Sequence, residues 1–263
     1  MMLHLAITPA YTFSGLLVGF LVGLTGVGGG SLMTPLLVLM FGVHPAMAVG
    51  TDLLFAAATK SVGTTIHSAG KTVDWRIVGR LAIGSVPATL LSLVAIAGLG
   101  ASSKDVTNAI SITLGSALLI SAGTLLFKEQ IIQAVARKYP DFGVQSSYRL
   151  TVLVGFALGI LVSLSSVGAG ALGTIALVIL YPRLPLVRIV GSDIAHAVPL
   201  TLLAGIGHWY LGTVNFALLA SLLLGSVPGI ILGSISARFA PDTVLKTALG
   251  IILTLVGFKM LTG

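Results

Sequence analysis

The chain has 263 residues, of which 56% are hydrophobic and only 8% are charged. A soluble domain carries about 25% charged residues, so this composition excludes a soluble fold of this size and predicts an all-α integral membrane protein. The net charge is +7, but the sequence contains no run of Lys and Arg, so a nucleic-acid partner is not expected. The lack of cysteine excludes disulfides, thiol catalysis and cysteine-ligated metal sites.

Ten apolar runs follow one another along the chain, and we expect each to be a helical segment. A spanning helix needs about 20 residues. Four runs are shorter and form two pairs, each interrupted by a glycine-rich stretch, 26–30 or 166–170. Short helices that meet at a glycine break within the membrane are typical of transporters. In order, the runs are 11–24, 31–42, 46–66, 77–98, 106–127, 148–164, 171–181, 187–207, 214–236 and 243–261. The first run lacks the features of a cleavable signal peptide, so we expect it to be retained.

The second half of the chain repeats the first. Chance matching of leucines in an apolar sequence would not match Asp, His and Pro in the same order, so the chain contains a duplication. It divides into a first transmembrane repeat, 1–127, a polar linker that we expect to be cytoplasmic, 128–147, and a second transmembrane repeat, 148–263. The offset is 140 residues for Gly28 and Gly168, and 141 for Asp52 and Asp193, His67 and His208, and the motif Gly-Ser-Val-Pro at 84–87 and 225–228.

The basic residues exchange loops between the two halves. The loop 67–76 holds Lys and Arg, whereas its partner, 208–215, holds neither; conversely, 182–188 holds two Arg and 43–46 holds none. Cytoplasmic loops are enriched in Lys and Arg, so the halves are predicted to have opposite orientations. The expected architecture is two inverted repeats of five segments, with both termini outside. If each glycine-broken pair crosses only once, the count falls to eight and the repeat becomes parallel, which the charges disfavour.

The two glycine breaks are the first candidate site. A short helix begins after each, and its first N–H groups carry the positive end of the helix dipole. Two such ends brought together at mid-depth would bind an anion, with nearby hydroxyls as further donors. Alternatively, the glycines only permit close helix packing. The candidate substrate-binding residues are Thr25, Gly28, Gly29, Gly30, Ser31, Thr34, Ser165, Ser166, Gly168, Gly170 and Thr174.

Four ionisable residues within the apolar runs form the second candidate group. Asp52 and Asp193 occupy equivalent positions, and a carboxylate at membrane depth costs about 2.5–3.5 kcal/mol, which predicts a function. Each could carry a proton or cap the start of its own helix. Lys60 and His196 lie deeper in the same two runs and could pair with these acids, attract an anion or relay protons. The alternatives are a snorkelling lysine and a hydrogen-bonded core histidine.

In their order and duplication, these motifs resemble the TauE/SafE family, the sulfite-exporter or toluene-sulfonate-uptake permeases. The resemblance covers about 14–262 and rests on the glycine break at 26–31, the Val-Gly-Thr-Asp-Leu motif at 49–53, the stretch 67–75 and the two Gly-Ser-Val-Pro motifs. It implies a multi-pass transporter of sulfite, thiosulfate or organosulfonates in the bacterial inner membrane. The family position matched by Asp52 is often Ser. An Asp at this position suggests a proton-coupled subgroup or a helix cap.

We therefore expect a secondary transporter driven by protons or the membrane potential, because no ATP-binding Gly-x-x-x-x-Gly-Lys-Ser/Thr motif is present. The expected partners are a small anion and the lipid bilayer, and a homodimer is left open. No nucleic acid, cofactor or metal is expected. Two alternatives remain: an anion channel, and an intramembrane aspartyl protease in which Asp52 and Asp193 form the catalytic pair.

Overall fold

A computed structural model describes residues 8–25, 30–138, 147–236 and 242–262. Within these ranges the chain forms eleven α-helices and no strand. They are α1 (Pro9–Thr25), α2 (Gly30–Phe41), α3 (Pro45–Ala69), α4 (Trp75–Leu99), α5 (Lys104–Leu126), α6 (Lys128–Lys138), α7 (Ser147–Ser165), α8 (Ala171–Leu180), α9 (Leu186–Tyr210), α10 (Phe216–Ser236) and α11 (Asp242–Thr262).

The ten predicted runs correspond to ten of these helices, which confirms the helical membrane architecture. In the described part of the chain, five helices are long and apolar enough to cross a bilayer, and four shorter ones are apolar as well. Large apolar side chains on their outer surfaces, such as Leu91 and Val94 of α4, are exposed, as expected where lipid is the solvent. The remaining helix, α6, lies in the predicted linker and was not anticipated.

Glycines mark two helix contacts that mirror each other. In the contact between α1 and α10, a Cβ on Gly15 would collide with the backbone of Leu222. In the contact between α4 and α7, a Cβ on Gly155 would collide with the backbone of Leu81, which is the repeat counterpart of Leu222. Both contacts depend on the close backbone approach that small residues allow in membranes.

The third helices of the two repeats, α3 and α9, pack against each other in the centre. Leu54 lies against Gly205, whereas Gly50, earlier in α3, lies against His208, later in α9. The two equivalent helices are therefore antiparallel. The same holds for α5 and α11, because Gly115 lies beside Leu261 and Gly250 lies beside Leu126. This is the pairing that an inverted duplication would produce, although the orientation of each half in the membrane stays a prediction from loop charge.

Candidate functional site: a buried cluster at the glycine breaks

The second glycine break is a short non-helical segment between α7 and α8. Gly168 and Gly170 have φ angles of 118° and 138°, which L side chains rarely adopt, and Ser166 has φ 58°. A Cβ built on Gly168 would meet no atom closer than 3.7 Å. Close helix packing therefore does not account for this glycine, whereas its backbone conformation does.

The carboxylate of Asp193 lies against the first turn of α8. A Cβ built on Gly173, the third residue of α8, would collide with Oδ1 of Asp193. Thr174 donates its hydroxyl to Oδ2 of the same carboxylate at 3.0 Å. The N-cap residue of α8 is Gly170, which has no side chain that could cap the helix. A carboxyl group from α9 thus lies at the positive end of α8, where a helix stabilises negative charge.

Asp52 repeats the threonine contact in the first half. Its Oδ2 accepts a hydrogen bond of 2.5 Å from the Thr34 hydroxyl in α2, and both residues are fully buried. Ser166, from the second glycine break, faces the Asp52 carboxyl without a well-formed hydrogen bond. Among the described residues, the Oδ1 atoms of Asp52 and Asp193 have no hydrogen-bond partner. The two repeats therefore each place one half-satisfied carboxyl group beside a short helix.

The interpretation of these acids as caps of their own helices is wrong. The helix α3 begins at Pro45 and α9 begins at Leu186, so Asp52 and Asp193 are interior residues. Each reaches the short helix packed beside its own helix instead.

Lys60 joins the two halves of the cluster. Its Nζ donates a 2.6 Å hydrogen bond to the carbonyl of Ala169, within the second glycine break. The residue is only 7% exposed, so the snorkelling interpretation is wrong. Its amino group lies within electrostatic range of both Asp193 and Asp52. In the described part of the chain neither carboxylate lies within 4.0 Å of the ammonium nitrogen, so the backbone carbonyl is its direct partner.

His196 lies at the edge of the same cluster. It is fully buried, and its Nε2 is 2.9 Å from the hydroxyl of Ser85 in α4. Its Nδ1 has no partner among the described residues, although the ring lies within electrostatic range of Lys60. The imidazole is thus only half satisfied, which differs from a core histidine with both nitrogens bonded.

Of the remaining predicted residues, Ser165 is the one whose side chain lies in the described part of the chain. Ser165 ends α7, where its hydroxyl donates to the carbonyl of Leu161 at 2.6 Å. Thr25 ends α1, and Gly30 and Ser31 begin α2, but the side chains of Thr25 and Ser31 are not described. Gly28 and Gly29 lie outside the described residues. The first break is therefore known only by the helix ends that flank it.

Comparison with known proteins identifies the scaffold that carries this cluster. The family model described as Sulfite exporter TauE/SafE matches residues 11–260. The chain belongs to this family. It is 37% identical over 249 residues to "Probable membrane transporter protein YjnA" of Bacillus subtilis, covering 94% of this chain and 97% of that protein. It is 27% identical over 252 residues to a "Probable membrane transporter protein" of Xylella fastidiosa, covering 94% and 92%. No solved structure matched significantly.

Membership in the TauE/SafE family makes the chain a multi-pass membrane transporter rather than an enzyme. This confirms the predicted family and class. It also sets aside the protease alternative for Asp52 and Asp193. The substrate, the driving force and the binding residues are finer questions that depend on the cluster itself.

Sequence reasoning missed two features of this TauE/SafE chain. His208, noted from the sequence only as the repeat counterpart of His67, is fully buried and contacts Thr213 Oγ1 at 2.8 Å and the Ser163 carbonyl at 3.0 Å. Its recurrence at equivalent positions was the available signal. The contact of Gly173 with Asp193 had no such signal, since the repeat counterpart of Gly173 is Met33.

Proposed function

We propose that this chain is a secondary transporter of a small sulfur-containing anion, such as sulfite, thiosulfate or an organosulfonate. Proton uptake at Asp52 and Asp193 would drive it. The observation that carries this proposal is the Asp193 carboxylate at the first turn of α8. The protein's own anion occupies the place that sequence analysis assigned to the substrate.

Competition for this place gives a mechanism for coupling. A substrate anion and an ionised Asp193 repel each other and require the same positive helix end. Protonation neutralises the carboxyl group and leaves the helix end for the substrate. Asp52 would compete in the same way, because its hydroxyl partner Thr34 matches Thr174. Anion binding and proton binding therefore favour each other, which is the requirement for coupled transport.

Lys60 supplies the positive charge that holds the anion. Its ammonium group is buried between the halves and has a neutral carbonyl, that of Ala169, as its direct partner. The ammonium group attracts an anion more strongly than a neutral carbonyl, because the opposite full charge adds a Coulombic attraction to the hydrogen bond. The substrate can therefore replace Ala169 as the partner of Lys60. The anion in this account contacts both the glycine break and the cation.

The sulfur content of the substrate rests on the family description, whereas the anion and the protons rest on the cluster. The test is uptake into proteoliposomes of thiosulfate, methanesulfonate, sulfite, sulfate and chloride, with the membrane potential clamped. Thiosulfate and methanesulfonate do not titrate near neutral pH, so their response to a pH gradient reports protons bound by the protein. We expect saturable uptake of a sulfur anion that accelerates when its side of entry is acidified.

The control compares the Asp52→Asn, Asp193→Asn double variant with Asp105→Asn, which removes an exposed carboxylate in the first turn of α5. Only the double variant should lose the acceleration. Saturable uptake that ignores the pH gradient would contradict proton coupling. Uptake that does not saturate would favour the anion channel. Absence of flux for every anion, with reconstitution verified, would contradict the anion site.

A further inference from the structure

Two loops each attach to the central helix of the other repeat through the same kind of hydrogen bond. The backbone N–H of Asp74, before α4, donates to the Ser192 hydroxyl in α9 at 2.8 Å. The backbone N–H of Asn215, before α10, donates to the Thr51 hydroxyl in α3 at 3.0 Å. These positions correspond in the duplication, with an offset of 141. We call these two contacts the Asp74 clasp and the Asn215 clasp.

The clasps lie at opposite ends of the helix pair. The Asp74 clasp joins the loop after α3 to α9 near its start, and the Asn215 clasp joins the loop after α9 to α3 near its start. Since α3 and α9 are antiparallel, these are different ends of the molecule. In the sequence, Thr51 directly precedes Asp52, and Ser192 directly precedes Asp193. Each clasp is thus one residue away from a carboxyl group of the central cluster.

Only one clasp carries an ion pair in the part of the chain that the structure describes. Arg188 Nη2 lies 3.4 Å from Asp74 Oδ2, and the two side chains are 41% and 22% exposed. The residues that correspond to this pair at the other end are Met47 and Asn215, which are uncharged. Asp74 also caps α4 by accepting a hydrogen bond from Arg76 N. Asn215 keeps this role, because its side chain caps α10 by accepting from Leu218 N. The charge is therefore the difference between two otherwise matching clasps.

We infer that the Asp74–Arg188 ion pair is a one-sided latch that makes the Asp74 end of the transporter harder to open than the Asn215 end. Alternating access requires contacts between the repeats to break at one end at a time. Matching clasps alone would give neither end an advantage. A partly exposed ion pair is a weak interaction, so it shifts the ratio of the two open states by about two- to fivefold. The inference rests on the proposed secondary transport and adds a resting orientation to it.

Distances across each end test this inference without any substrate. The chain has no cysteine, so spin labels can be placed on introduced cysteines alone. One pair, at Ala69 and Leu186, spans the Asp74 end, and a second pair, at His44 and Tyr210, spans the Asn215 end; all four residues are exposed. Double electron–electron resonance in lipid nanodiscs then gives the distance distribution at each end for each variant.

Removal of the charge by Asp74→Asn, which keeps the cap, should increase the population with a long Ala69–Leu186 distance about two- to fivefold, and Arg188→Ala should do the same. High salt should have this effect on the parent protein but not on either variant. In the parent background, the double change Met47→Arg, Asn215→Asp should instead reduce opening at the His44–Tyr210 end.

Unchanged distances in both charge-removal variants, or equal changes at both ends, would overturn the latch. Because no substrate is needed, failed anion uptake would count against the proposed function and leave this result intact.

Discussion

The two repeats of this transporter use the same carboxyl–hydroxyl pair but differ in what lies beside it. Thr34 with Asp52 in the first half matches Thr174 with Asp193 in the second. Lys60 has no charged counterpart, because the matching residue is Thr201. The Thr201 hydroxyl donates to the Ala197 carbonyl of its own helix. In the opposite direction, His196 of the second half corresponds to the apolar Phe55.

This difference distinguishes proton binding, which would occur in both repeats, from anion binding, which would occur once. A buried carboxyl group is costly in each repeat, so its presence in both is expected if both repeats bind protons. The cation occurs once and lies between the halves, as expected if the two repeats share one substrate anion. In this account, proton binding is symmetric and anion binding is not.

Loss of Lys60 should have the largest effect. Lys60→Met removes the cation of the cluster, and hydrogen bonds to charged groups contribute about 1.5–3 kcal/mol, which corresponds to about 10- to 100-fold in affinity. We expect the concentration for half-maximal anion uptake to rise by that factor. Lys104→Met, which removes an exposed lysine at the start of α5, is the control. Equal uptake by both variants would remove Lys60 from the site.

Single substitutions of the two acids test whether the two repeats contribute equally to proton binding. Asp52→Asn and Asp193→Asn should each reduce the acceleration of uptake by acid. The two losses should agree within about threefold, a difference of less than about 1 kcal/mol. Uptake in opposing pH gradients measures both. Full loss in one variant and none in the other would show that only one repeat carries protons.

The hydroxyl partners should affect stability. Thr34→Val and Thr174→Val each leave a buried carboxyl group without its donor, which costs about 1–3 kcal/mol. Thermal unfolding in detergent should show both losses, with the larger for Thr34, whose bond is 2.5 Å against 3.0 Å. Thr254→Val, at an exposed residue that bonds only its own helix, should change stability by less than about 0.5 kcal/mol. Losses no larger than this control would mean that the pairs are unimportant for the fold.

Replacement of His196 should have the smallest effect on transport. His196→Phe introduces the residue that the first repeat already holds at the matching position. It removes the contact with Ser85, and a hydrogen bond contributes about 1 kcal/mol net. Acid-driven uptake should therefore fall by about fivefold or less. Complete loss would instead make His196 an essential proton carrier.

Sequence analysis predicted the helices well because spanning segments must be long and apolar. The helix α6 was missed because it is polar and short, so its residues read as a linker. Pro45 at the start of α3 and Pro185 just before α9 were available signals that Asp52 and Asp193 lie inside helices.

The contact of Lys60 with Ala169 was beyond sequence reasoning, since 109 residues separate them and only tertiary packing joins them. The pairing of each acid with its threonine was easier to predict from the sequence. All four residues were candidates, and they recur together in the duplication.

The most direct test of the account is proton uptake by the purified protein when thiosulfate binds. A pH indicator in weakly buffered detergent solution reports this, because thiosulfate itself does not titrate near neutral pH. The account predicts proton uptake by the parent protein, less in Asp52→Asn or Asp193→Asn, and none in the double variant. Thiosulfate binding that takes up no protons, or takes up as many in the double variant, would contradict it.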